Sequence, residues 1–185
     1  NILYLLQDMQ DFELYGTVRA VISVCDSMNY LTDEEDLEYV FALVNNYLDP
    51  GGLFVFDMNT IHKYRDVIGD TTIAEDREDG SFIWENSYDQ EKNLNVYELA
   101  LFLPREDGLY EKCEEEHVQR AYSIETIKRM IEKAGMELVA VYDAYTRNPG
   151  DENCERLTFI AREHGKSAEN EYHGRIPERA GHTEE

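Results

Sequence analysis

Three short polar clusters punctuate the first third of the chain, each directly after an apolar run: Asp8-Met9, then Asp26-Ser27-Met28-Asn29-Tyr30, then Asp57-Met58-Asn59. Carboxylates, amides and a phenol so placed can hold a ligand or take a proton, and open α/β sheets gather ligands at the carboxyl ends of their parallel strands. The plainer reading is that Asp and Asn end strands and make local turns. Three such clusters on one sheet edge argue for more. Cys25 also stands at a strand end, but no His partner lies nearby in sequence, so it reads as a small apolar filler rather than a nucleophile. His62, His117, His164, His173 and His182 show no metal-ligand spacing with Cys or carboxylates, and no metal is expected. Glu114-Glu115-Glu116 reads as the solvated face of an edge strand.

The elements that position these clusters follow from the apolar pattern. Residues 2–6, 20–25 and 53–56 are short apolar runs that read as buried strands. Between the last two, Leu37, Val40, Phe41, Val44 and Leu48 form one helical stripe. Thr32-Asp33-Glu34-Glu35 fits a capping box at its start, and Asp49-Pro50-Gly51-Gly52 marks its end. Such alternation predicts parallel α/β layering. After about residue 70 the pattern changes to β-like runs at 71–75, 81–88, 94–103 and 110–121. Turn signals such as Glu78-Asp79-Gly80 and Glu106-Asp107-Gly108 separate them, so antiparallel hairpins are predicted. Helical periodicity returns with Ser123 as N-cap and Gly135 as the stop. Residues 136–142 and 157–162 read as two closing strands. From about residue 163 the chain turns polar and patternless, and a disordered tail over 163–185 is expected.

Composition narrows the class. Lys and Arg number 17 against 40 Asp and Glu, a formal net charge of −23 across 185 residues. That field repels nucleic-acid backbones and anionic membrane surfaces, so neither is expected as a partner. Hydrophobic residues at 42% supply a core, which argues against a disordered chain. No apolar run approaches the roughly 20 residues that span a bilayer. Three widely spaced cysteines, without a CxxC, suit the reducing cytosol rather than a disulfide framework. A cytoplasmic protein is expected.

The order of these pieces resembles a family. Strand, Gln7-Asp8-Met9, strand, Cys25-Asp26-Ser27-Met28-Asn29-Tyr30-Leu31, capped helix, Leu48-Asp49-Pro50-Gly51-Gly52-Leu53-Phe54-Val55-Phe56-Asp57 is similar to the class I S-adenosylmethionine-dependent methyltransferases. The particular likeness is to small bacterial members with an antiparallel β lid. The resemblance covers about residues 1–162. It implies a Rossmann-like sheet over residues 1–70 and 123–162, with a β lid over 71–122 inserted into it. It implies S-adenosyl-L-methionine as cofactor, with Asp8 on the adenine amino group, Met9 against the ring, and Cys25, Asp26 and Ser27 beside the methionine moiety. Asn29, Tyr30 and Tyr88 would border a small-molecule acceptor, and Asp26 and Tyr30 would position it or take its proton. Tyr97, Tyr110 and Tyr122 could line the same cavity or simply pack the hairpins.

The family's glycine-rich loop and its ribose-binding acid have no counterpart here, and the chain opens on Asn1 inside a strand-like run. It therefore reads as the C-terminal part of a longer protein, binding cofactor weakly or not at all by itself. Residues 2–6, lacking the family's central strands, are expected to pair directly with 20–25, and the bare sheet edge is a place for self-association. Two other readings remain at this point: a non-catalytic binding module on a degenerate α/β scaffold, and a nicotinamide-dependent oxidoreductase.

Overall fold

The computed structural model describes residues 2–166. Two four-stranded sheets are built from eight strands. The first has the order β1-β2-β8-β7, with β1 at Val18–Ser23, β2 at Leu48–Asn59, β7 at Met136–Asp143 and β8 at Arg156–Glu163. β1 runs parallel to β2, while β8 is antiparallel to both β2 and β7. The second sheet is an antiparallel meander of β3 (Thr72–Arg77), β4 (Gly80–Asp89), β5 (Leu94–Pro104) and β6 (Tyr110–Arg120). The fold is thus mixed α/β, a partial Rossmann-like sheet with an inserted antiparallel unit, as the resemblance implies.

Helices α1 (Glu34–Tyr47) and α2 (Ile124–Lys133) pack against each other and against the first sheet. Alternation along β2 and β8 sends Phe54, Phe56, Met58, Leu157, Phe159 and Ala161 toward them. The Phe56 ring stacks on Phe54 and Phe159, with centroids 4.5 and 5.1 Å away, and meets Phe41 of α1 at 5.1 Å. Ser123 caps α2, its hydroxyl accepting from the Thr126 amide, and Gly135 follows in left-handed backbone. The other face of the first sheet carries the cross-strand row Ile22, Val55 and Ile160, and Ile22 is 68% exposed. Among the described residues no helix covers that face.

Several local expectations are corrected. Residues 2–6 form no strand and do not pair with β1; Tyr4 and Leu6 stand fully in solvent. An apolar run makes a strand only where a neighbour completes its ladder, and here the following segment closes on itself instead. Gln7 and Glu13 exchange side-chain and backbone hydrogen bonds, and the Asp11 amide donates to the Asp8 carbonyl. Met9 and Phe12 then anchor that loop on the core, the Phe12 ring lying 5.4 Å from Tyr47. β1 ends at Ser23 rather than Cys25, because Cys25 and Asp26 turn left-handed.

The capping box does not form: Asp33 is the N-cap of α1 without a side-chain cap bond, while the Thr32 carbonyl accepts from Arg120. Strand β2 starts at Leu48, with Pro50-Gly51-Gly52 as an irregularity within it where the register with β1 slips. A Cβ on Gly52 would come within 2.9 Å of the Asp49 carbonyl oxygen. Residues 163–166 of the expected tail are tied to the fold. Glu163 is buried and accepts from the Gly51 amide, and Lys166 donates to the Asn45 and Leu48 carbonyls at the end of α1, where a cation is favoured. Residues 167–185 lie outside the described residues. No described helix is long and apolar enough to cross a membrane.

Truncating the ring at the centre of this core sets the scale of its contribution. Phe56→Ala is expected to lower unfolding free energy by about 3–5 kcal/mol in a urea titration, the range for a large core aromatic. A loss below about 1 kcal/mol would contradict the packing described.

Candidate active site

Where β1 ends, Cys25 and Asp26 adopt φ values of 61° and 52°. Left-handed backbone is costly for non-glycine residues and persists where surroundings enforce it. The enforcing group is Asp57, a 3% exposed carboxylate near the end of β2. Its Oδ1 accepts from the Asp26 amide at 2.7 Å and its Oδ2 from the Cys25 amide at 3.3 Å. Adjacent strands of a parallel pair put the turn after one beside the end of the other. The sequence clusters after β1 and β2 therefore meet, and they serve each other first.

The turn aims the Asp26 side chain at two residues distant in sequence. Arg156, the first residue of β8, donates to Asp26 Oδ1 at 2.6 Å and approaches Asp57 Oδ2 at 3.4 Å. Gln119 of β6 donates to Asp26 Oδ2 at 2.8 Å and accepts from the Tyr64 hydroxyl at 2.7 Å. The Asn59 amide donates in turn to that hydroxyl at 3.1 Å. Burial holds the Tyr64 phenol far above its ordinary range, so it stays protonated and donates. Both carboxylate oxygens of Asp26 are committed, which makes it a positioning group.

Between this cluster and the second sheet lies a cavity of about 260 Å³, lined from the first sheet's side by Asp26, Tyr30, Asn59, Lys63 and Arg156. The second sheet closes it with Trp84, Tyr97, Leu99, His117 and Gln119. Strand pairing places those five on one face: Trp84 opposite Leu99, and Tyr97 opposite His117. The Tyr30 hydroxyl lies 2.9 Å from His117 Nδ1, and His117 Nε2 lies 3.1 Å from Glu115 Oε2. Burial, reinforced by Asp26 and Glu115, raises the Tyr30 pKa; with the acceptor-only Glu115 carboxylate at Nε2, a neutral His117 ring leaves Nδ1 to accept from the phenol. The Nε2 proton then faces Glu115.

Other expected residues sit elsewhere. Asn29 does not border the cavity: fully buried, it donates to the Asn59 and Arg120 carbonyls and accepts from the Asn59 amide, which spends it on structure. The Tyr88 hydroxyl donates to Asn93 and does not line the cavity either. Tyr97 does line it, whereas Tyr122 donates to the Leu31 carbonyl and Tyr110 is exposed. Ser27 bonds the Val24 carbonyl locally. The three consecutive glutamates are all exposed, as expected of a solvated face, and Glu115 also reaches His117 from there. From sequence, Arg156, Gln119 and Lys63 are not singled out, and His117 is weighed only as a metal ligand. His117 and Gln119 at i and i+2 on one strand were the available signal; nothing local marked Arg156.

The residues fit the implied cofactor in part. Asp8 is exposed, its Oδ1 takes the Gln10 amide, and among the described residues its other oxygen has no partner, which suits an adenine amino donor. Met9 beside it is half-buried on the core. Cys25 is exposed at the tip of the β1 turn. For ribose and carboxypropyl groups the sequence holds no glycine-rich loop. No described group of three or more His, Cys, Asp or Glu residues could hold a metal.

Removing the Asp57 carboxylate would leave the Cys25 and Asp26 amides unpaired and take from Arg156 one of its two carboxylate partners. Asp57→Ala is expected to cost about 3–5 kcal/mol of unfolding free energy, the range for breaking a buried pair from one side. Thermal unfolding showing a loss under about 1 kcal/mol would mean the turn is held by something else.

No protein-family model matches the chain. A protein of Bacillus subtilis (strain 168) named "Putative methyltransferase YqeM" is 31% identical over 161 residues, which is 86% of this chain and 65% of that protein. An S-adenosylmethionine-dependent methyltransferase from Clostridium acetobutylicum superposes with a TM-score of 0.81 at 27% identity, covering 87% of this chain and 64% of its own. The amino pentose methyltransferase CalS10 of Micromonospora echinaspora shares the fold, with a TM-score of 0.65 at 17% identity over 85% of this chain and 63% of that one. The chain thus spans just under two thirds of the length of each. Over the part of their length that it spans, the chain is similar in sequence to proteins named putative methyltransferases and in fold to solved S-adenosylmethionine-dependent methyltransferases.

Proposed function

We propose that the chain provides the acceptor cavity and one edge of the cofactor site of an enzyme that methylates a small molecule, and that it transfers no methyl group by itself. The observation that carries this is the line Tyr30–His117–Glu115 opening on the cavity between the sheets. When bound, S-adenosyl-L-methionine supplies an activated methyl group, so the protein's task is alignment, exclusion of water and removal of one proton. Asp8 and Met9 would meet the adenine, and Cys25, Asp26 and Ser27 the methionine end. Tyr30 would take the acceptor's proton as it gives its own to His117 Nδ1, and Glu115 would stabilise the resulting imidazolium. Asp26 holds the wall of the cavity through Arg156 and Gln119.

Support for a small acceptor comes from the cavity's size and from the amino pentose substrate class named for CalS10. The similarity to methyltransferases favours this reading over nicotinamide chemistry or a non-catalytic module. We place the protein in the cytoplasm, in keeping with its three free cysteines. The open edge of β1, beside the exposed Ile22 and Val24, is where another polypeptide segment or a second copy would add.

The test uses the polypeptide that carries this chain in its entirety, methyl-labelled cofactor, and a panel of small amines and phenols. His117→Ala is expected to lower kcat by about 10²–10⁴-fold, the range for lost general acid–base catalysis, because Tyr30 then has nowhere to pass its proton, with cofactor affinity unchanged. An unaltered kcat would remove the relay from the mechanism. Asp8→Ala is expected to weaken cofactor binding by about 1–3 kcal/mol, the cost of an unpaired polar group, and calorimetry showing no change would take Asp8 out of the site.

A further inference from the structure

The charges that face the cavity are unevenly committed. Asp26 spends both oxygens on Arg156 and Gln119, and Arg156 spends its guanidinium on Asp26 and Asp57. Glu115 is engaged with His117. Lys63 differs. It begins the π-helical turn Lys63–Ile68, four residues past the end of β2, and its Nζ has one partner among the described residues, the neutral Asn59 Oδ1 at 3.0 Å. It forms no ion pair among those residues. An ammonium has three donors, so two remain for whatever fills the cavity.

Half-burial makes that vacancy consequential. Desolvation, with the nearby Arg156 charge, lowers the Lys63 pKa, and Asp26, Glu155 and Asp57 oppose the shift without cancelling it. A buried, incompletely paired cation is unfavourable until an anion arrives. Beside it, Trp84, Tyr97 and Leu99 supply a flat apolar wall, the Trp84 and Tyr97 rings meeting edge to face at 5.1 Å. The protein's strong net negative charge would repel an anion at a distance. Screening confines that field to about 8 Å at physiological salt, within which the Lys63 contact dominates.

We propose that Lys63 selects the acceptor by charge: the cavity takes a small molecule bearing a carboxylate, paired with Lys63 Nζ, and a flat apolar portion against Trp84, Tyr97 and Leu99. The inference rests on reading this cavity as the acceptor site. Lys63 acts in recognition and need not touch the reacting atoms.

Trp84 is the only tryptophan in the sequence, so its fluorescence reports this cavity alone. The experiment titrates the 185-residue chain with phenylacetate and with its neutral isostere phenylacetamide. Phenylacetate should change the emission saturably and bind at least about tenfold more tightly than the amide, as a charge-assisted pair implies. Lys63→Gln should bring the two ligands to within about twofold while Lys63→Arg keeps the preference, and circular dichroism should show both variants folded. Equal affinities in the unaltered chain, a preference that survives Lys63→Gln, or no saturable response would each overturn the proposal. Retained preference for the acid, with no labelled methyl transferred by the polypeptide that carries this chain in its entirety, would instead overturn the proposed function and leave this inference standing.

Discussion

Two consecutive residues in left-handed backbone, Cys25 and Asp26, are held by one buried carboxylate, and the site takes its shape from that contact. Each such residue costs on the order of 1–3 kcal/mol unless its surroundings impose it. Asp57 imposes it by accepting both amides, bonds strengthened by its charge and by the low dielectric around it. The carboxylate is itself tolerable in the interior because Arg156 lies against it. Burial works against the guanidinium charge, but Asp26 and Asp57 outweigh it and leave the Arg156 pKa raised. Turn, carboxylate and guanidinium therefore stand or fall together.

The same turn fastens the second sheet. Asp26 reaches Gln119 on β6, Gln119 reaches Tyr64, and Asn29 clamps the Arg120 and Asn59 carbonyls. The Tyr122 hydroxyl on the Leu31 carbonyl adds a further tie. These contacts are buried or half-buried, so each counts for more than the pairs that Arg129 and Lys133, both largely exposed, make with Glu34 and Glu38 between the helices, where solvent screens the cations. The antiparallel unit is thus docked along the edge of the cavity rather than hung over it, and the cavity walls are set by hydrogen bonds from both sheets.

Legibility in the sequence followed the range of the interactions. Period-two alternation in residues 94–103 and the N-cap Ser123 are local, and β5 and α2 came out close to where they were expected. The Thr32 capping box was also a local pattern, but Arg120 claimed the Thr32 carbonyl from 88 residues away. Asp26 and Tyr30 could be singled out because they follow an apolar run. Their partners Arg156 and His117 could not, since only the sheet order brings β8 and β6 to the end of β1. The apolar residues 2–6 misled for a related reason: apolar pattern predicts a strand, yet a strand exists only with a neighbour, and β1 offered its edge to none.

What tests the account most directly is amide hydrogen exchange at Cys25 and Asp26, read residue by residue by NMR. Both amides lie in a turn at the sheet's edge, outside any strand ladder, so only their bonds to Asp57 would slow them. The account predicts protection of both in the unaltered chain, and exchange near the free-amide rate for both when Asp57 is replaced, with the core strands β2 and β8 still protected. Free-amide exchange in the unaltered chain, or protection that persists without Asp57, would contradict it.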